Sequence, residues 1–258
     1  MEETAAQRMA DLLFAEHVAN AAFITQDGLA SISDAYDVQD RHVALLRAAY
    51  GEAAGYKVGL TSKPMQVFCG IDHPIAGVVL ASRVHRTGAR IRRTDFGRLG
   101  LEFEIAVRIA SDVPASTTPL TAAAIAPHIG GVGAAIELVD DRGADYTNLD
   151  VRSLVADNSW NGGIVVSEFA APWPDLEAVL GKAARDGAPI GEGHGRDILG
   201  HPFNSVAWLA AHLATRGEAL KAGQVVMTGS VMKTVFPTEP ASYRFAFEGL
   251  GAVEVGVE

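Results

Sequence analysis

The sequence predicts an α+β chain: a mostly helical amino-terminal region followed by a strand-rich remainder. Three observations carry that prediction. Over residues 1–50, apolar side chains recur at helical spacing, first at Ala5, Met9, Leu12 and Leu13, then at Val38, Leu45, Leu46 and Ala49. Beyond Gly51, glycine becomes frequent and short β-branched runs take over. Few helical stretches interrupt those runs, and their spacing is too irregular for the strand–helix repeat of a Rossmann fold.

The elements follow in order. Asp27-Gly28 is a turn signal between the first helices, and Asp34 is placed to cap the second. Strands are predicted at 77–80, 101–109, 134–139, 164–166, 224–227, 243–247 and 252–257. A helix over 121–126 stops near Pro127. Another starts at an N-cap Asn204 and runs through Trp208 and Leu213 toward Gly217. Residues 181–200, rich in glycine and charge, read as a surface loop or hairpin. No linker separates independent domains. The organisation expected is a helical region over 1–75 and a β-rich catalytic region over 76–258, folded as one unit.

The 258 residues suffice for a full core, and 48% of them are apolar against 20% charged, which excludes disorder as the main state. Asp and Glu outnumber Lys and Arg by 31 to 21, leaving a formal charge of −10. So acidic a chain is a poor nucleic-acid binder. A single cysteine, Cys69, precludes an intrachain disulfide and fits a reducing compartment. No apolar run approaches the ~18 residues of a membrane span, and Met1-Glu2-Glu3-Thr4 does not open a signal peptide. The expected location is the cytoplasm, with no membrane partner.

The sharpest chemical feature is the alternation from Leu101 to Ile109. Leu101, Phe103, Ile105, Val107 and Ile109 share one face, while Glu102 and Glu104 share the other. Residues two apart on a strand sit roughly 6–7 Å apart, so these carboxylates repel unless a cation lies beside them. A hard divalent ion with oxygen ligands fits, and so does a solvated acidic face. Glu137 stands alone among Ala134-Ala135-Ile136 and Leu138-Val139, where burial is costly unless the charge is paired or metal-bound. Asp140-Asp141-Arg142 after it reads as a charged strand end. Three carboxylates from two strands could hold Mg²⁺ or Mn²⁺ and leave positions for substrate. Lys57, in Gly55-Tyr56-Lys57-Val58-Gly59, could neutralise a carboxylate at a pocket mouth or shuttle a proton; a surface lysine at a strand end is the alternative. No zinc spacing, phosphate loop or Gly-x-Ser-x-Gly elbow is present.

Taken in order, these residues resemble the hydratase/decarboxylase branch of the fumarylacetoacetate hydrolase superfamily. The matching stretches are 55–66, 102–106, 136–142, Asp157-Asn158-Ser159-Trp160-Asn161-Gly162-Gly163, Leu199-Gly200-His201-Pro202 with the helix after it, and 222–230. The resemblance implies a mixed β-roll of that superfamily's carboxy-terminal type, preceded by the helical region. It implies Glu102, Glu104 and Glu137 as ligands of Mg²⁺ or Mn²⁺, Lys57 as the catalytic lysine, and Leu60, Ser62, Ser159 and Asn161 as substrate-binding residues. It implies no organic cofactor, and a homo-oligomer.

The reaction implied is metal-dependent hydration of 2-hydroxypenta-2,4-dienoate (2-keto-4-pentenoate) or a close analogue to a 4-hydroxy-2-oxo acid, within aromatic-compound catabolism. A chelated 2-oxo acid is an electron sink, so decarboxylation of a 4-oxalocrotonate-like diacid is the alternative chemistry. A non-catalytic 2-oxo-acid-binding member is the third. One departure bears on the choice. The family's hydratases carry an acidic pair after the strand that ends here at Leu80, and this chain has Ala81-Ser82-Arg83. Ser82 or His85 are the nearby candidates for the water-handling step, and Arg83 could meet a second substrate carboxylate.

Overall fold

The computed structural model describes residues 1–258. Helices α1 (Glu3–Val18) and α2 (Ile32–Tyr50) form the amino-terminal pair, and their packed faces bury Ala6, Ala10 and Leu13 against Ala35, Val38 and the imidazole of His42. The cap of α2 is Ser31, three residues before the expected Asp34. The Ser31 hydroxyl accepts from the Asp34 N–H at 3.1 Å, and the Asp34 carboxylate accepts from the Ser31 N–H at 3.0 Å, a capping box.

A seven-stranded sheet follows, in the order β2-β1-β10-β5-β6-β7-β3. Its strands are β1 (Ala53–Gly59), β2 (Ile75–Leu80), β3 (Val84–Arg86), β5 (Leu99–Ile109), β6 (Ile129–Asp140), β7 (Asn161–Val166) and β10 (Val225–Ser230). Strand β1 lies inside the helical region expected over 1–75, yet it pairs with β10 and β2 within this sheet. The second sheet has five strands, β4 (Ala89–Ile91), β12 (Gly251–Val257), β11 (Ala241–Phe247), β8 (Leu180–Arg185) and β9 (Ala188–His194), in that order. Strands β8 and β9 make residues 181–200 mostly a hairpin, turning at Asp186-Gly187 with both φ positive, at 48° and 82°.

Short helices α3 (Lys63–Phe68), α4 (Ala122–Ile125) and α5 (Val151–Ala156) join these elements. Helix α6 (Pro202–Thr215) is capped by His201, three residues before the expected Asn204, with Pro202 in its first turn and the His201 ring accepting from the Phe203 N–H at 3.0 Å.

The two faces of the large sheet differ. Phe103, Ile105, Val107, Ile136, Leu138 and Val165 belong to the main core of 54 buried residues. The opposite face carries a separate cluster of only 6, namely Val79, Ala106, Ala135, Ile164, Val166 and Met227. The site lies on this smaller side.

Candidate metal centre

The pairing register assembles that side residue by residue. Lys57 stands opposite Met227, Met227 opposite Ala106, Glu104 opposite Ala135, Glu102 opposite Glu137, and Glu137 opposite Ile164. The alternation read in the sequence therefore puts both glutamates of β5 on one face, and Glu137 joins them from β6. One ligand oxygen from each of Glu102, Glu104 and Glu137 lies within 4.8 Å of the other two. Lys57 and Glu137 are three strand spacings apart, roughly 14 Å in a flat sheet. Their side chains nevertheless meet, Nζ to Oε1 at 3.4 Å, because the sheet curls around the site.

Each carboxylate has one fixed arm. The Thr234 hydroxyl donates to Glu102 Oε1 at 2.7 Å, the Gly229 N–H to Glu104 Oε2 at 2.8 Å, and the Asn161 amide to Glu137 Oε1 at 2.9 Å. The remaining oxygens of Glu104 (Oε1) and Glu137 (Oε2) are buried with no hydrogen-bond partner. Buried carboxylate oxygens without donors are costly, and a divalent cation is the partner this donor set fits.

The electrostatics agree. Burial pushes Glu104 well above the usual carboxylate range, and the charges of Glu137 and Glu102 push it further. Burial likewise raises Glu137 to about 7, against the opposing pull of Lys57. Burial draws Lys57 down, but Glu137, Glu102 and Glu104 outweigh it and hold the ammonium charged. One cation faces three acidic groups, so the lysine stays charged while its partners cannot all ionise.

The other expected site residues sit as follows. The Leu60 carbonyl accepts from the Gln66 amide at 3.0 Å, and Leu60 has φ 54°. Ser62 precedes α3 and lines a surface cleft of about 660 Å³ with Lys63, His73 and Trp208. The Ser159 hydroxyl is buried and donates to the Ala76 carbonyl at 3.0 Å, so it is occupied away from the carboxylates. Arg83 donates to the Gly162 carbonyl at 3.2 Å and lies over the Tyr50 ring. Ala81 and Ser82 are exposed. His85 pairs with Val165 of the main core, so it points away from the face that carries Glu137. A cleft of about 750 Å³ between α2 and α6 contains none of Glu102, Glu104 and Glu137.

Thr234 and Gly229 were not singled out by sequence reasoning. Gly229 lies within a family-like stretch; its φ of 114° and a Cβ position only 2.2 Å from Thr61 Oγ1 explain the glycine. Thr234 follows β10 in an irregular segment with no periodic signal.

An acidic triad with a buried lysine on one face of a mixed sheet is a donor set suited to a hard divalent cation. The model of the fumarylacetoacetate (FAA) hydrolase C-terminal family matches residues 43–258, and the chain belongs to that family. It is 30% identical over 230 residues to 2-hydroxyhexa-2,4-dienoate hydratase of Comamonas testosteroni, covering 87% of this chain and 86% of that one. It is 31% identical over 223 residues to 2-keto-4-pentenoate hydratase of Burkholderia vietnamiensis, covering 85% and 83%. Among solved structures, 4-oxalocrotonate decarboxylase from Pseudomonas putida G7, complexed with magnesium and adipate, superimposes with a TM-score of 0.91 at 25% identity, covering 100% of this chain and 99% of that one.

Proposed function

We propose that this protein is a divalent-metal-dependent lyase that adds water to 2-hydroxypenta-2,4-dienoate or a close analogue, giving a 4-hydroxy-2-oxo acid. The observation that carries the reading is the pair of donor-less buried oxygens on Glu104 and Glu137, beside Glu102 and Lys57. Two hydratase relatives near 30% identity support it.

Glu102, Glu104 and Glu137 would hold Mg²⁺ or Mn²⁺. Bound there, the ion would supply Lewis acidity toward the oxygens of a 2-oxo acid. Thr234, Gly229 and Asn161 each fix one carboxylate arm, which leaves the other arms free to converge. The Lys57 ammonium offsets the negative charge of the bound acid, and it is a buried proton donor at the edge of the triad. No organic cofactor is required.

A second reading is decarboxylation of a 4-oxalocrotonate-like diacid by the same site. Ala81-Ser82 in place of an acidic pair favours it, since a serine hydroxyl is no carboxylate base, and so does the likeness to the decarboxylase.

The test is direct. With Mg²⁺ and freshly generated 2-hydroxypenta-2,4-dienoate, the dienol absorbance is lost and 4-hydroxy-2-oxopentanoate accumulates. Release of CO₂ from 4-oxalocrotonate without hydration product selects the second reading. Silence in both assays overturns the enzymatic assignment. We further place the protein in the cytoplasm, as its single cysteine fits; no helix is long and apolar enough to cross a membrane. The exposed Met65, Val67 and Phe68 around α3 support a homo-oligomer, which sedimentation at the monomer mass would contradict.

A further inference from the structure

A second buried cluster lies where the helical pair meets the large sheet. It joins Glu16 and His17 of α1, His42 of α2, Arg142 just after β6 and Asp157 just after α5. Asp157 is fully buried and held from two sides. His17 Nε2 stands 2.5 Å from its Oδ1, and the Arg142 guanidinium reaches its Oδ2 at 2.9 Å. Arg142 is itself aimed, since its Nε donates to the Ala21 carbonyl at 2.9 Å and one of its terminal nitrogens stands 2.9 Å from His17 Nε2. Burial alone would raise Asp157, but His17 and Arg142 hold it below the usual carboxylate range. His42 is pushed down to about 3, chiefly by burial, so its ring is a neutral wall of the cluster. The guanidinium already supplies the cation that Asp157 and Glu16 require, which argues against a metal ion here.

The position of Asp157 in the chain gives the cluster its meaning. Immediately after it, Asn158, Ser159 and Trp160 have φ of 51°, 51° and 59°, three consecutive non-glycine residues in the left-handed region. Such a run costs free energy at each residue and persists only where its surroundings dictate it. The surroundings here do so. The Asn158 side chain accepts from the Val78 N–H at 2.7 Å and donates to the Val78 carbonyl at 2.9 Å. Its backbone carbonyl lies so close to β2 that a Cβ on Gly77 would stand 2.6 Å from it. Ser159 is tied to Ala76, and Trp160 packs edge-on against Phe23. The run ends at Asn161, whose amide donates to Glu137.

We propose that His17, Arg142 and Asp157 are positioning residues for the metal centre: they lock the left-handed run and so aim the Asn161 amide at Glu137. The helical pair thus takes part in metal binding through α1, without touching the triad. This inference rests on the reading of Glu102, Glu104 and Glu137 as metal ligands.

The experiment reads Mn²⁺ affinity by electron paramagnetic resonance, without substrate, in wild type, H17A, N161A and H17A/N161A. H17A and N161A each weaken Mn²⁺ binding by about 10- to 100-fold, the range for residues that orient a ligand. The double variant binds no more weakly than N161A, because His17 acts through Asn161. H17Q, whose amide can donate to Asp157 from the same place, recovers affinity. D157N, compared with and without N161A, gives the same test by a substitution that keeps the side-chain shape, should H17A fail to fold. Unchanged Mn²⁺ affinity in H17A, or fold-changes that multiply in the double variant, overturns the proposal while the metal centre stands. Absence of Mn²⁺ binding in wild type instead overturns the metal reading itself.

Discussion

Replacing Glu104 with Gln should separate the cost of the metal centre from its gain. The triad oxygens lie within 4.8 Å of one another, and two full charges at that distance repel by about 3 kcal/mol at an effective dielectric of about 20. Lys57, 3.4 Å from Glu137, offsets part of that repulsion, but it serves three acids. The metal-free protein relieves the excess by keeping Glu104 protonated, consistent with its raised pKa. Glutamine copies that neutral state. Its carbonyl still accepts from the Gly229 N–H, and its amide faces carboxylates that accept. In EDTA, E104Q therefore unfolds within about 1 kcal/mol of wild type, with no loss of charge pairing to offset. Magnesium at about 100 times its Kd stabilises wild type by about 2.7 kcal/mol. For a domain of this size that is roughly 5–10 °C in Tm. Differential scanning calorimetry with Mg²⁺ or EDTA gives all four values. A strongly destabilised E104Q in EDTA, or an equal magnesium shift in both proteins, would refute the reasoning.

Three further outcomes follow from the same geometry. Lys57→Met lowers kcat by about 10²- to 10⁴-fold, the usual worth of a positioned proton donor, while Mn²⁺ affinity changes far less; steady-state kinetics beside a Mn²⁺ titration checks the split. Native Glu137 keeps its proton up to about pH 7 while the unfolded chain releases it near 4.5, so between those values the native state binds more protons. Its contribution to metal-free stability therefore falls as pH rises through that window, by about 3 kcal/mol in total, and urea titrations of wild type against E137Q across pH 4.5–7 should show this slope vanish in the variant. Gly229→Ala puts a methyl group 2.2 Å from Thr61 Oγ1 at φ 114°; it should cost about 1–3 kcal/mol in urea unfolding and weaken Mn²⁺ binding by moving the N–H that holds Glu104.

The triad was legible because its signals are local. Alternation along β5 fixes the face of Glu102 and Glu104, and a lone acid among apolar residues marks Glu137. Their meeting was not legible from period alone, since it depends on which strands pair; the resemblance of the ordered motifs supplied that expectation. Strand β1 escaped a strand assignment because Ala53-Ala54-Gly55 has weak strand propensity, and it is held by β10 and β2 rather than by itself. The cap of α6 is His201, three residues before the expected Asn204, although Pro202 carries the signal for a first helical position. For α2, Ser31 and Asp34 form a reciprocal pair, and either reads as a cap. The aim of Asn161 depends on three left-handed residues and a buried cluster drawn from α1, β6 and α5, none of which leaves a short-range pattern. Thr234 reaches Glu102 from an irregular segment and was invisible for the same reason.

The central claim is that three glutamates grip one hard cation which in turn chelates an α-oxo acid. A crystal structure grown with Mn²⁺ and oxalate, with anomalous scattering recorded at the manganese edge, tests it most directly. The predicted map has a single strong peak bonded to oxygens of Glu102, Glu104 and Glu137, with both oxalate oxygens completing its shell and Lys57 beside them. A map with no peak between those carboxylates, or with manganese bound elsewhere while Lys57 fills the space among them, would contradict it.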